Sequence, residues 1–172
     1  LALPIGHQQT ISQPYIVARM TEHLISHTSK RGKVLNQVLE IGSGCGYQSA
    51  VLSHFANDVY AVERIKPLVS KSRENLSELK IRNVIVKHAD GFNGWEEDLK
   101  FDGIICAAAP RQYPEELLDL LEVGGKLVIP VGLEGKQKLF VITKQTETEY
   151  EEIVHEEVAF VPMLPGVSNG DV

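Results

Sequence analysis

The sequence predicts an α/β fold: a mostly parallel, doubly wound sheet with helices on both faces, ending in an antiparallel strand pair. Three observations carry this. Short apolar strands alternate with helical stretches from residue 14 to residue 131. The first of these strands runs straight into a glycine-rich turn that opens a helix, as ligand-binding parallel sheets do. After residue 131 the alternation stops, and two strand-like segments follow each other with no helix between them.

Residues 14–28 read as a helix, with Pro14 in its first turn and Ile16, Val17, Met20 and Leu24 on one face. Val38–Ile41 is the first strand and Tyr47–Phe55 the helix after the glycine turn. Asp58–Glu63 alternates into a second strand. Lys66–Leu79 is a helix with Pro67 near its start. Asn83–His88 and Phe101–Cys106 are the third and fourth strands. Pro114–Leu121 is a helix whose end Gly124-Gly125 would mark. Lys126–Val131 is the fifth strand. Lys138–Lys144 and Ile153–Val161 form the final pair, joined by a turn over Thr146–Tyr150.

Bulk composition narrows the function. At 172 residues the chain is one domain by size. Its 43% hydrophobic and 23% charged content is that of an ordinary soluble protein. The net charge is −6, and the last forty residues carry Glu134, Glu147, Glu149, Glu151, Glu152, Glu156, Glu157 and Asp171. That balance argues against a duplex nucleic-acid binder, which concentrates Lys and Arg. No apolar run is long enough to cross a bilayer, and Leu1-Ala2-Leu3-Pro4 lacks the pattern of a secretory leader. Two cysteines, Cys45 and Cys106, are too few for a disulfide framework, so a cytoplasmic location is expected.

The most informative stretch is Val38-Leu39-Glu40-Ile41-Gly42-Ser43-Gly44-Cys45-Gly46-Tyr47. Its glycines fall at every second position. A pyrophosphate-binding loop reads GxGxxG, and Tyr47 stands where its third glycine belongs. Glu40 places a negative charge where a polyphosphate would meet repulsion. Both features favour a ligand that is cationic next to the loop, such as S-adenosylmethionine with its ammonium and sulfonium groups. Gly42, Ser43 and Gly44 would receive it. Glu63 ends the second strand 17 residues after Gly46, where a carboxylate can accept hydrogen bonds from ribose hydroxyls. Asp90-Gly91 follows the third strand, where Asp90 can accept from an adenine amino group and Gly91 leaves room for the ring. Each also has a plain structural reading: a tight turn, a helix-entry residue paired with Arg64 or Lys66, and an Asp-Gly turn. An NAD-linked oxidoreductase stays open through Glu63, against the form of the loop.

Thr10 and Ser12 precede the helix that begins near Pro14, and free amides at a helix start attract anions. The plain reading of Ser12 is a helix cap. Here the chain resembles a known family. Leu3 to Arg19, with Leu3-Pro4-Ile5-Gly6 and Gln9-Thr10-Ile11-Ser12-Gln13-Pro14-Tyr15, is similar to the signature of bacterial protein-L-isoaspartate O-methyltransferases. The resemblance continues through Val38–Gln48, Val62-Glu63-Arg64, Asp90-Gly91 with Gly94-Trp95, and Phe101-Asp102 with Ala107-Ala108-Ala109-Pro110. It runs on through Gly124-Gly125 and Ile129-Pro130-Val131-Gly132 to Phe160-Val161-Pro162.

This resemblance implies a Rossmann-like class I methyltransferase fold. It implies methyl transfer from S-adenosyl-L-methionine to the free α-carboxylate of L-isoaspartyl residues, less well of D-aspartyl residues, with S-adenosyl-L-homocysteine as product. Repair then proceeds through a succinimide. Ser12 is implied as the active-site hydroxyl, with Thr10 and His7 beside the substrate. Gln9, Thr10 and Ile11 would border the cofactor, with Gly42 and Ser43 in its loop, Glu63 at the ribose, and Asp90 and Gly91 at the adenine. Partners would be isoaspartyl peptides and proteins, and the protein a monomer with neither nucleic acid nor membrane among its ligands. Two departures stand out. The family usually has glycine where Gln8 stands, and its members carry an additional N-terminal helical region ahead of the position of Leu1. Residues 1–172 are thus expected to form a single methyltransferase domain lacking that segment. A cofactor-binding module impaired in catalysis is the alternative.

The remaining candidates read as structural. His23 and His27 stand four apart on the first helix, but no zinc-protease glutamate accompanies them, so both read as exposed and no metal site is expected. Cys45 reads as a small side chain beside the cofactor, Cys106 as core, and Trp95 as packing near the Asp90-Gly91 turn.

Overall fold

The computed structural model describes residues 3–6, 9–11, 13–26, 33–93, 95 and 97–170. Two short strands, β1 (Leu3–Gly6) and β2 (Gln9–Ile11), pair antiparallel at the N-terminus. So short a hairpin carries no periodic signal, and it was not among the elements expected. Then come α1 (Pro14–Ile25), β3 (Leu35–Ile41), α2 (Tyr47–Leu52), β4 (Ala56–Glu63), α3 (Lys66–Glu78) and β5 (Val84–His88). A 3-10 turn over Gly91–Asn93 leads to β6 (Phe101–Cys106), α4 (Glu115–Asp119), β7 (Leu121–Val131), β8 (Gln137–Lys144) and β9 (Tyr150–Val158).

The seven longer strands form one sheet in the order β5-β4-β3-β6-β7-β8-β9. The first five are parallel, and the last two antiparallel additions run on as a meander. The expected doubly wound architecture is present. Strand order reverses between β3 and β6, which is where such sheets bind ligands.

Alternation along the strands splits the core in two. Leu39, Ile41, Ile104, Leu127 and Ile129 face one side and pack with Trp95, Phe101 and Leu117. Val38, Ile105 and Val128 face the other and pack with Met20 and Leu24 of α1 and Leu52 of α2. Trp95 is buried in an edge-on contact with Tyr60, and Cys106 is buried, as expected of packing residues. Burial pushes the Cys106 thiol up to about 12, which keeps it protonated and unreactive.

Several boundaries differ from expectation, each for a tertiary reason. β3 starts at Leu35 because the Asp102 carboxylate accepts hydrogen bonds from the Asn36 and Gln37 amides at 2.7 and 2.9 Å. The Gly124-Gly125 pair does not end a helix. It lies inside β7, where the register against β6 slips between Phe101–Leu121 and Gly103–Lys126. A Cβ on Gly125 would stand 2.9 Å from the Glu122 carbonyl oxygen, so the bulge excludes larger residues. β9 begins three residues earlier than predicted, because Tyr150 pairs with Lys144 to close the hairpin. It also ends early: the Gln137 side-chain amide engages both the N–H and the C=O of Phe160. Helix α2 stops at Leu52 and α1 at Ile25; residues 27 and 28 of the predicted first helix lie outside the described residues. Among the described residues no helix is long and apolar enough to cross a membrane.

Candidate cofactor site

The glycine turn after β3 is built as the sequence suggests. Gly42, Gly44 and Gly46 all adopt positive φ, at 88°, 55° and 92°, a conformation that side-chain-bearing residues resist. The Gly42 amide donates to the Val62 carbonyl at 2.8 Å, which ties the turn to β4. Helix α3 holds it from the other side. The Ser72 hydroxyl donates to the Gly44 carbonyl at 2.7 Å, and the Asn75 amide donates to the Cys45 carbonyl at 2.8 Å. Neither α3 residue was singled out from the sequence. Their i, i+3 spacing puts them on one helix face, a signal legible only once that face is known to meet the turn.

A cavity of about 620 Å³ of empty space, its open mouth included, lies at the carboxyl ends of β3, β4 and β5. Gly42, Gly44, Glu63 and Gly91 line it, together with Ile41, Val62, Ala89 and Ala108. Four of the predicted cofactor residues are thus brought together. Each oxygen of the Glu63 carboxylate accepts one backbone amide at 3.0 Å, Oε1 from Gly44 and Oε2 from Ile65. These amides, and not Arg64 or Lys66 as the plain structural reading had it, are the partners of the Glu63 carboxylate. A carboxylate has about four acceptor positions, so two remain for hydroxyl donors.

Gly91 sits hard against β3. A Cβ there would stand 2.4 Å from Ile41 Cγ2, so only glycine keeps this wall of the cavity flat. Asp90 beside it is only partly buried, and each oxygen of its carboxylate accepts one backbone amide: Oδ1 from Phe92 at 2.9 Å, Oδ2 from Gly166 at 2.8 Å. Asp90 therefore makes the plain Asp-Gly turn and anchors a second segment, and, unlike Ala89 and Gly91 on either side, it is not among the residues that line the cavity.

That segment is the chain after β9, which sequence reading left without a role. Val161, Pro162, Met163 and Leu164 form part of the cavity wall. The Ala109 amide donates to the Val161 carbonyl at 2.8 Å, and the Met163 amide returns a bond to the Ala109 carbonyl at 2.9 Å. Farther on, Ser168 pairs with the Arg64–Lys66 stretch after β4. The tail thus spans the strand ends from β6 to β4.

Glu40 and Ser43 depart from the expected rim. Glu40 points to the opposite side of the sheet from its neighbours Leu39 and Ile41, is fully buried, and does not line the cavity. Its Oε2 accepts from the Ser49 hydroxyl of α2, and its Oε1 has no partner. Burial pushes the carboxyl up to about 8; the Ser49 hydrogen bond pulls it down and the charge of Glu63 pushes it further up. Its predicted place as a negative charge on the rim is corrected by the period of the strand, which turns it inward. Ser43 is buried with its hydroxyl 3.1 Å from that of Ser72, a contact that shapes the turn.

Gln9, Thr10 and Ile11 lie on β2, just ahead of α1. The N-cap of α1 is Gln13, whose carbonyl accepts from the Val17 amide at 3.1 Å. Ser12 and His7 lie outside the described residues, as does His27. His23 does not match expectation: it is buried, not exposed.

The residues at the cavity suit an adenosine with an alkyl-sulfonium tail: glycines for close approach, an acceptor-rich carboxylate, and an apolar wall. Comparison with known proteins agrees. The family model for protein-L-isoaspartate(D-aspartate) O-methyltransferase matches residues 1–168. A protein-L-isoaspartate O-methyltransferase of Marinobacter nauticus is 52% identical over 166 residues, covering 96% of this chain and 72% of that protein. One from Azoarcus is 54% identical over 165 residues, covering 96% of this chain and 73% of its own. A crystal structure from Plasmodium falciparum, assigned as a protein-L-isoaspartate O-methyltransferase and bound to S-adenosyl-L-homocysteine, superposes with a TM-score of 0.76 at 30% identity, over 95% of this chain and 79% of that one. By fold, by cavity and by sequence along nearly its whole length, this chain belongs to the protein-L-isoaspartate(D-aspartate) O-methyltransferase family.

Proposed function

We infer that this chain transfers a methyl group from S-adenosyl-L-methionine to the free α-carboxylate of L-isoaspartyl residues, and less well of D-aspartyl residues, in damaged proteins. The observation that carries the reading is the convergence of Gly42, Gly44, Glu63 and Gly91 on one cavity at the strand ends, in a chain of this family. When bound, S-adenosyl-L-methionine supplies an electrophilic methyl group on a sulfonium that leaves as a neutral thioether.

The residues hold and orient. Glu63 offers its two remaining acceptor positions to the ribose hydroxyls, Gly91 gives the adenine a flat wall, and Asp90 fixes the turn and tail around it. Gly42 and Gly44 let the backbone approach the tail of the cofactor. The substrate carboxylate needs no general base, since a group with a pKa near ~4 is ionised at neutral pH. What is required is alignment of carboxylate, methyl and sulfur, and positioning of this kind contributes on the order of 7–11 kcal/mol at best. Gln9, Thr10 and Ile11 border the cofactor in this reading, Thr10 and His7 flank the substrate, and Ser12 orients its carboxylate. The methyl ester product then closes to a succinimide as the neighbouring backbone nitrogen displaces methanol, and hydrolysis of that ring returns normal aspartate in part.

The same reading makes residues 1–172 a single methyltransferase domain acting as a cytoplasmic monomer on isoaspartyl peptides and proteins. It has no part for nucleic acid or membrane. Both cysteines are free thiols, in keeping with a reducing compartment, and the net charge of −6 is poorly suited to a polyanion.

The test is transfer of labelled methyl from S-adenosyl-L-methionine to an isoaspartyl peptide, run beside the same peptide with normal aspartate. Base-labile label on the first alone is expected. Cofactor binding with no label on either peptide would identify an impaired binding module instead. Ser12→Ala should slow turnover by about tenfold or more with cofactor affinity kept, since a hydrogen bond to a charged group contributes ~1.5–3 kcal/mol. Unchanged turnover would remove Ser12 from the site.

A further inference from the structure

Away from the cavity, the helix face of α1 that carries Val17, Met20 and Leu24 also carries His23, which is only 8% exposed. Its ring lies 4.1 Å from that of His155 on β9, centroid to centroid, with the planes tilted by 42°. Glu156, the next residue of β9, brings Oε1 to 3.9 Å from His23 Nε2. One donor atom from each of His23, His155 and Glu156 falls within 4.8 Å of the other two. His23 Nε2 is itself buried and has no hydrogen-bond partner. A buried polar atom left unpaired costs ~1–3 kcal/mol, so a nitrogen held this way beside two other donors points to a ligand.

We propose that His23, His155 and Glu156 bind one divalent cation of the zinc class, joining α1 to the edge strand β9. Two imidazole nitrogens and one carboxylate oxygen suit zinc and its transition-metal neighbours; magnesium and calcium take oxygen donors. Zinc with bonds of ~2.0–2.2 Å holds tetrahedral ligands roughly 3.3 Å apart, so rotation of the partly exposed His155 and Glu156 side chains closes the site. The protonation states agree. Burial, with His155 and Arg19 adding to it, holds His23 below its ordinary pKa against the pull of Glu156 and Glu22, leaving a neutral ring with a lone pair. Burial pushes the Glu156 carboxyl up, but its own backbone amide, Arg19 and His23 outweigh it, so the group lies below its ordinary value and is ionised.

Arg19 is the competing cation, with Nε 3.2 Å from Glu156 Oε1. Its Nη1 already holds the exposed Glu22 carboxylate at 2.6 Å, which gives it a partner when a metal takes Glu156. Local sequence spacing does not show the site, since His23 stands 132 residues before the adjacent pair that starts at His155.

The test is titration of tag-free, chelator-treated protein with Zn²⁺ alone, with Co²⁺ as a spectroscopic probe. Saturation near one cation per chain is expected, with tetrahedral visible bands for cobalt and no competition from Mg²⁺. His155→Gln and Glu156→Gln should each weaken Zn²⁺ binding by about tenfold or more by removing one of three ligands, while His54→Gln, an exposed histidine elsewhere, leaves it unchanged. Circular dichroism checks that the variants fold, and Glu156→Gln decides the matter if His155→Gln does not. Absence of saturable binding, or binding of equal strength in the folded variants, would overturn the proposal and leave a histidine stack capped by an ion pair.

Discussion

Glu63 Oε1 accepts the Gly44 amide at 3.0 Å, so the acidic end of β4 and the middle of the glycine turn are fastened to each other. The second oxygen is fastened in the same way to Ile65. The carboxylate that would meet the ribose is therefore already oriented, and little side-chain freedom is lost when a ligand arrives.

Glu63→Gln follows from this geometry. A glutamine offers one acceptor oxygen where Glu63 uses two, so an amide must lose its partner or the ribose must. With hydrogen bonds to a charged group contributing ~1.5–3 kcal/mol, S-adenosyl-L-homocysteine should bind roughly 10- to 100-fold more weakly. Isothermal titration calorimetry measures this, and an unchanged Kd would place the ribose elsewhere.

Glu40 predicts a pH dependence of stability. Its folded-state pKa of about 8 lies above the ordinary 4.5, so the folded protein holds a proton that the unfolded chain releases. The associated stability is fully present below the unfolded value and is lost as pH rises through the folded one. Urea unfolding of the ligand-free protein between pH 5 and 8, a window set by those two values, should show a falling midpoint. In Glu40→Gln, which cannot ionise and can still bond Ser49, that slope should flatten. Parallel slopes in the two proteins would show that Glu40 does not carry it.

Gly91→Ala puts a methyl group where Ile41 Cγ2 stands 2.4 Å away. Overpacking of this kind costs roughly 1–3 kcal/mol, and in a chain of this size each kcal/mol lowers Tm by about 2–4 °C. Calorimetric unfolding reads the loss directly. Cofactor affinity should fall with it, because relief of the clash pushes this wall into the cavity.

Asp90→Ala removes the acceptor for both the Phe92 and Gly166 amides. The tail should open more often. Hydrogen exchange at Gly166 is expected to speed up by about tenfold, the equivalent of one bond near ~1.4 kcal/mol. Exchange in the β3–β4 core should be unaffected. If Gly166 exchanges at its original rate, the Ala109 and Ser168 pairings hold the tail without Asp90.

The chain itself determined whatever depends on near neighbours. The strand and helix periods placed the strands of the main sheet though not the β1–β2 hairpin, three glycines at every second position marked a sharp turn, and the chain order of β-α units required a parallel sheet with its ligand site at the strand ends. Glu63 and Gly91 were legible because a residue just past a parallel strand cannot avoid that rim. Only the folded molecule decided which way Glu40 points, that Gly124-Gly125 forms a bulge and not a helix end, and that the chain after β9 returns to wall the cavity. It also brought His155 and Glu156 to His23. Those outcomes depend on register and on contacts between segments far apart in sequence, where each residue's environment is set by a partner that local spacing does not contain.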